Sequence, residues 1–375
     1  MFNLSNAVTY HYNQFPPSDI HYPDLIKELL EATEMLARYD QLLHTLHNRE
    51  ILLSPLRSQE AVISSRIEGT ISTIDEILEL EAQYSDEGEI DRNRETRSDI
   101  VETLLYQRAL KTAQKNIEEG YSISHTLIRQ MHQQLLSIGR GSHKSPGQYK
   151  TEQNYLGDKG NRNIKFIPIS PEALQQGLDN LFDYLKSNKQ HPELLKTAFM
   201  HLEFEALHPF QDGNGRIGRM LITLYLWQAG LISSPHFYIS GYLEEHKEEY
   251  ISAMRAVSQE NKWTQWAIFF LNAVKEQAEW NCKIAENIRQ LYEEMKVRIT
   301  DTLSSKWSIQ VCDYLFTYPK FRGSSLYSNT EIPKNTATQF LKKLVEEGII
   351  IQQIPPSGRK AALYSFEPLL ELVRV

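Results

Sequence analysis

Apolar residues recur at helical intervals through most of the chain. Leu25, Leu29, Leu36, Leu43 and Leu46 predict a helix from about residue 23 to 47. A second helix over about 58–68 is expected to stop at Gly69, the residue type that best tolerates a left-handed cap. Thr73 followed by Glu76 has the spacing of a capping box and opens a helix through about Ala82. Further helices are expected at 93–118, 124–137, 171–188 and 192–207. Ile217, Met220, Leu221, Leu224 and Tyr225 mark a buried helix from Gly215 to Gln228, with Gly230 just past its end. Between Tyr242 and Tyr318 there is neither glycine nor proline, so that stretch is expected to be almost wholly helical. Residues 1–20, with Pro16-Pro17 and scattered aromatics, carry no helical period and read as an extended arm packed on the body.

Two stretches depart from the helical pattern. Residues 139–170 are dense in glycine and polar side chains. Tyr155-Leu156 and Ile164-Lys165-Phe166-Ile167 flank a polar tip, Asp158 to Asn163, which predicts a β-hairpin over 154–168. From about 304 the pattern changes again. A helix at 306–317, a Gly/Ser turn and a helix at 334–347 ended by Gly348 are expected. Strands at 349–352 and 362–365 then flank a turn bearing Arg359 and Lys360. This order resembles a winged helix. The fold class expected is mainly α, with a β-hairpin and a C-terminal winged helix-turn-helix domain.

Composition narrows the class. A chain of 375 residues suggests two or three domains, and 41% hydrophobic with 23% charged residues excludes a disordered chain. Cys282 and Cys312 have no metal spacing, which argues against a disulfide scaffold or zinc site and fits a reducing cytosol. No apolar run approaches the roughly 20 residues of a membrane span, and the start lacks a basic segment followed by an apolar one. The expectation is a cytoplasmic protein without a membrane partner. The net charge of −8 disfavours a whole-chain nucleic-acid coat. The charge is uneven, however: residues 301–375 carry +2 and the rest −10.

The densest chemistry lies in His208-Pro209-Phe210-Gln211-Asp212-Gly213-Asn214-Gly215-Arg216-Ile217-Gly218-Arg219, between two apolar helices. Gly213, Asn214 and Gly215 suit a tight turn with converging backbone N–H groups. The helix that follows points its positive end at that turn, making an anion nest suited to phosphates. Arg216 and Arg219 lie one turn apart and reach the same anion. Asp212 is a hard carboxylate at the mouth, as a phosphate-bridging Mg²⁺ requires. His208 is a titratable base at the other edge.

This segment resembles the Fic signature, HPFx[D/E]GN[G/K]R, at every fixed position. The resemblance implies a protein adenylyltransferase that moves AMP from ATP to a protein hydroxyl and releases pyrophosphate. It implies a helical N-terminal extension over 1–99, a Fic core over 100–275, a connecting helix over 276–303 and the winged-helix domain over 304–375. His208 would deprotonate the target's Ser, Thr or Tyr hydroxyl. Asp212 would hold Mg²⁺ on the α- and β-phosphates. Gly213, Asn214 and Gly215 would cradle the phosphates, with Ile217 and Gly218 in the same nucleotide-binding stretch, and Arg216 and Arg219 would bind the β- and γ-phosphates. Phe210 would be a buried anchor. The hairpin corresponds to the Fic flap, which clamps the target through main-chain pairing and puts Phe166 and Ile167 near the nucleotide. Tyr250 matches a tyrosine lining the adenine pocket. Ser64-Ser65-Arg66-Ile67-Glu68-Gly69 fits the family's inhibitory motif, [S/T]xxxE[G/N]. That implies that Glu68 pairs with Arg219 and restrains an enzyme whose target includes the chain itself.

Two other readings compete. The first is a DNA-binding regulator with a nucleotide-sensing core, using Lys334, Thr336, Thr338, Gln339, Lys342 and Lys343 of the second tail helix and Arg359 and Lys360 of the hairpin tip. His208 separates the two, because a sensor does not need it. The second is removal of AMP from modified proteins, with Glu68 activating water. A homodimer is the remaining partner expectation.

Overall fold

The structure is a computed structural model and describes residues 3–45, 47–87, 97–139, 141–157, 163–358 and 360–374. The polar tip at 158–162, Leu46 and Arg359 lie outside the described residues, as does part of the helix expected from 93. The elements run β1 (Val8–Thr9), a 3-10 turn (Tyr22–Asp24), α1 (Ile26–Leu43), α2 (Glu50–Ile67), α3 (Ile74–Glu87), α4 (Ser98–Glu118) and α5 (His125–Leu135). Next come β2 (Leu156–Gly157), β3 (Ile164–Ile167), α6 (Pro171–Ser187), α7 (Glu193–Leu207), α8 (Asn214–Gln228), α9 (Ser240–Glu245), α10 (Lys247–Glu260) and α11 (Trp263–Leu303). The tail holds α12 (Ser308–Thr317), β4 (Lys320–Arg322), α13 (Gly323–Ser328), α14 (Lys334–Glu346), β5 (Ile351–Ile354), β6 (Leu363–Ser365) and α15 (Glu367–Val373). The fold is mainly α. No helix among the described residues is long and apolar enough to cross a membrane.

The chain divides into two compact units. One comprises Met1–Asp40, Ile67–Gly69 and Leu105–Glu279; the other comprises Gln41–Arg66, Thr70–Leu104 and Trp280–Val375.

In the first unit, α7 and α8 form the centre. Both are apolar almost all round, and the side chains from Leu194 to Phe204 and from Ile217 to Leu226 are buried. Helices α5 and α6 flank them. The N-terminal arm is more ordered than an extended coil. Tyr10 donates to Glu203 Oε1 at 2.6 Å, and His11 Nε2 lies 2.8 Å from Glu203 Oε2, so a fully buried carboxylate is partnered at both oxygens. The arm also supplies β1, which pairs in parallel with β3 through Val8–Phe166 and Thr9–Ile167. The hairpin expected at 154–168 is present as β2 and β3, antiparallel, and β1 makes it a three-stranded sheet. Two paired residues leave no period-2 signal in a sequence, so the third strand could not be read there.

In the second unit, α2 begins at Glu50, eight residues before the expected start, and runs through Pro55. The proline forfeits one helical bond, but Ile51, Leu52, Leu53 and Leu56 around it are buried, and their burial outweighs the loss. The capping box forms as expected: Thr73 N–H donates to Glu76 Oε2 at 2.9 Å and Glu76 N–H to Thr73 Oγ1 at 3.3 Å. The tail sheet has the order β4-β6-β5, antiparallel throughout. The expected Gly/Ser turn is instead the short helix α13, and α15 was not anticipated. The long stretch without glycine or proline breaks at Asn261 and Ser304, both in the left-handed conformation. Asparagine and serine can bond their own backbone locally and end helices without either marker residue.

Candidate functional site

Helix α7 ends in a strained residue. His208 caps it with φ 47° and ψ 62°, a conformation that a β-carbon disfavours. Its N–H bonds Phe204 O at 3.0 Å. Its Nδ1 lies 3.3 Å from the Glu205 carbonyl oxygen. A carbonyl only accepts, so Nδ1 carries the hydrogen and Nε2 keeps its lone pair. Burial pushes the imidazole pKa down to about 4; the Lys150 charge adds to this, while Glu68 and Asp212 pull the other way. The ring is therefore a neutral proton acceptor at pH 7.

The turn after His208 is held by side chains behind it. Phe210 is fully buried and stacks on His132 of α5, with ring centres 3.8 Å apart. His132 Nδ1 accepts from Gly147 N–H at 2.8 Å, so its Nε2–H donates to Asp212 O at 3.0 Å. Burial holds that ring at a pKa of about 4. Asn214 Oδ1 accepts from Phe210 N–H at 2.8 Å and its Nδ2 donates to Phe210 O at 2.9 Å. The Asn214 side chain is thus committed to the turn, which leaves its backbone N–H for a ligand. Gly213, with φ 78°, makes the left-handed step into α8. The first N–H groups of α8, from Asn214, Gly215 and Arg216, have no carbonyl a turn behind them and form an anion seat.

Charged side chains ring this seat. Arg219 and Arg216 are almost wholly buried, at 2% and 4% side-chain exposure. Arg216 lies 3.5 Å from Asp212 Oδ1, which also accepts from Gly213 N–H at 2.6 Å. The Asp212 side chain is 47% exposed. No cluster of three or more His, Cys, Asp or Glu side chains that could hold a metal ion occurs among the described residues. A cation at Asp212 would have to draw its other ligands from water and substrate phosphate, a donor set that suits Mg²⁺.

Glu68 directly follows α2. Gly69 has φ 86°, and Thr70 N–H bonds Ser65 O at 3.1 Å, which closes the helix with a left-handed cap. A carboxylate at the negative end of a helix is unfavourable on its own. Its compensation is Arg219, whose Nη2 donates to Glu68 Oε1 at 2.8 Å. Burial raises the Glu68 pKa, but the charge and hydrogen bond of Arg219, with the charge of Arg216 behind them, outweigh this and hold it below its ordinary value. The same oxygen lies so close to Gly215 that a Cβ there would collide with it. Glu68 therefore occupies the first turn of α8, where an anion would bind.

Three buried groups surround Arg219 from other directions. Tyr250 hydrogen-bonds Arg219 and lies 2.8 Å from His201 Nε2. His201 Nδ1 lies 3.2 Å from Gly218 O. Glu205 Oε1 is buried without a hydrogen-bond partner, against the bare Cα of Gly218. Burial raises its pKa to about 8, with Arg219 opposing and Glu68 adding to the rise.

The structure thus brings Glu68, Asp212, Gly215, Arg216, Arg219 and Tyr250 into one connected set, with Gly218 against Glu205. Ile217 faces the core and is fully buried. Phe166 and Ile167 belong to β3, half-buried, and pair through their backbones with Leu156, Val8 and Thr9. The segment leading into the hairpin is tied to the turn, with Asn154 Nδ2 donating to Phe210 O at 2.8 Å. Sequence reasoning missed His132, Lys150, Asn154, His201 and Glu205. The one available signal was polar residues interrupting the apolar faces of α5 and α7.

Comparison with known proteins identifies the family of the regions that carry this site. The profile of the Fic/DOC family matches residues 122–226, and that of the Fic/DOC family N-terminal region matches residues 26–115. Together they take in just over half of the chain. The probable protein adenylyltransferase of Aquifex aeolicus is 26% identical over 211 residues, 55% of this chain and 56% of that protein. The protein adenylyltransferase fic-1 of Caenorhabditis elegans is 31% identical over 115 residues, 30% of this chain and 21% of that protein. The match thus spans about half the length of the first relative and a fifth of the second. Among solved structures, a Fic family protein from Desulfovibrio desulfuricans superimposes with a TM-score of 0.57 at 18% identity, covering 94% of this chain and 98% of that one. A Fic domain containing signaling protein from Bacteroides thetaiotaomicron gives a TM-score of 0.55 at 17% identity, covering 69% and 97%. At these identities the likeness is one of fold.

Proposed function

Because this chain belongs to the Fic/DOC family, we propose that it is a protein adenylyltransferase, moving AMP from ATP to a Ser, Thr or Tyr hydroxyl of a protein, itself included. The observation that carries this reading is a neutral His208 with a bare Nε2 beside a helix N-terminus guarded by two buried arginines. The target oxygen attacks the α-phosphorus, the bond to the β-phosphate breaks, pyrophosphate leaves and the hydroxyl proton passes to His208 Nε2. The N–H groups at 214–216 with Arg216 and Arg219 hold the phosphates in line, so positioning and charge neutralisation supply most of the catalysis. Asp212 would hold Mg²⁺, which offsets charge on the phosphates when bound. Glu68 restrains the enzyme by occupying Arg219 and the first turn of α8. Incubation of the purified protein with ATP labelled on the α-phosphate and Mg²⁺ tests the reading. Covalent label on protein, lost in His208→Ala, is expected; label absent in both wild type and Glu68→Gly overturns it.

A second activity is favoured by the tail. On α14, Lys334, Thr338, Gln339, Lys342 and Lys343 are exposed while Ala337, Phe340, Leu341 and Leu344 are buried. A polar, basic face on a helix beside a three-stranded antiparallel sheet suits DNA docking by a winged helix. A salt-dependent gel shift that disappears in the triple variant Lys334→Ala/Lys342→Ala/Lys343→Ala supports it; a shift unaffected by these changes excludes this face.

A further inference from the structure

Lys150 is a buried lysine outside the motif. It is only 4% exposed, and among the described residues no carboxylate pairs with it. Two contacts define its place. Its ammonium donates to Leu207 O at 3.0 Å, and its backbone N–H donates to Pro209 O at 2.8 Å. One residue thus grips the carbonyls on both sides of His208. Between those anchors His208 adopts its left-handed φ of 47°. A non-glycine residue stays in that region only where its surroundings over-determine it. The helix beyond Leu207 has ended, so without Lys150 the Leu207 carbonyl would be left unmet.

We propose that Lys150 is a positioning residue for His208: it clamps the carbonyls of Leu207 and Pro209 and so holds the left-handed turn that aims the imidazole. This rests on the reading of His208 as the proton acceptor.

The electrostatics agree with the geometry. Lys150 is the largest charge acting on the His208 ring after burial, and it lowers the ring's pKa. The other groups facing that ring are the Glu205 carbonyl on α7, Glu68 after α2 and Asp212 in the turn, and all three raise it. Lys150 is therefore the cation that counters both carboxylates. Burial lowers the pKa of Lys150 itself to about 7. Its charge is present below that pH, where the ring would otherwise begin to protonate.

The test uses the full chain with ¹⁵N-labelled histidine. In wild type, the His208 ring signal should show two inflections: its own protonation near pH 4 and a smaller step near pH 7 from Lys150. In Lys150→Met the step near 7 should vanish and the ring pKa should rise by about one unit. The turnover rate at saturating ATP should fall about tenfold or more with little change in KM for ATP. Lys150→Arg, which keeps charge and donors, should restore the low ring pKa. A wild-type ring signal that senses no lysine deprotonation at any pH overturns the proposal whether or not the variants fold. So does an unchanged ring pKa in Lys150→Met. Failure of the parent reading looks different: His208→Ala would then keep its activity while the Lys150–His208 coupling still appeared in the ring shifts.

Discussion

Glu68 and Arg219, 151 positions apart, form a 2.8 Å charge-assisted hydrogen bond over the first turn of α8. Both residues belong to the first unit, and the pair sets a carboxylate at the start of a helix, where an anion is favoured. Arg219 is nearly fully buried, whereas the Glu68 side chain is 38% exposed, so the glutamate is the partner placed to leave.

Glu68→Gly should therefore raise self-modification, by on the order of 10²-fold if freeing Arg219 restores in-line phosphate geometry. Arg219→Ala should not activate, because it removes the restraint and the phosphate contact together. Labelled-AMP incorporation compared across the two variants checks both. If Glu68→Gly only abolishes removal of AMP from a modified protein, Glu68 acts in the hydrolytic removal instead.

His208→Ala in the Glu68→Gly background should lower transfer by about 10²–10⁴-fold while ATP binding stays near that of the parent. Calorimetric ATP titration beside the rate assay separates the two effects. A rate within a factor of a few of the parent would contradict the role given to His208.

Asp212→Ala should remove the Mg²⁺ dependence of transfer together with most of the activity, and chelation of divalent ions should reproduce the loss in the parent. The turn should survive, because Asn214 and His132 hold it through other atoms. A Mg²⁺ titration identical to that of the parent would move the metal elsewhere.

His132 and His201 make the fold acid-sensitive. Burial holds their folded pKa values at about 4 and about 3, below the ordinary 6.5. The unfolded state therefore binds more protons as pH falls. The resulting stability loss starts near pH 6.5 and grows toward pH 4, with each ring contributing on the order of 3 kcal/mol by the end. The melting temperature should fall steadily across that window, and both rings should keep the nitrogen shifts of neutral imidazole at pH 5. Protonated shifts at pH 6 would contradict this.

The sequence alone determined the features that depend on near neighbours. The capping box at Thr73 and Glu76 and the left-handed stop at Gly69 are local preferences, and they appear where the residue order puts them. The stretch from His208 to Arg219 was legible for the same reason, because turn, helix start and arginines all fall within a few turns of chain. Tertiary structure alone decided what depends on distant partners. Pro55 lies inside a helix because buried neighbours outweigh one lost bond. Two residues of the N-terminal arm become a strand only because β3 offers an edge. His132 and Lys150 hold the turn, and Glu205 and His201 surround the second arginine, from positions with no marked spacing to the motif. A buried polar group is recognised by what it meets in space, and a linear sequence carries no record of that meeting.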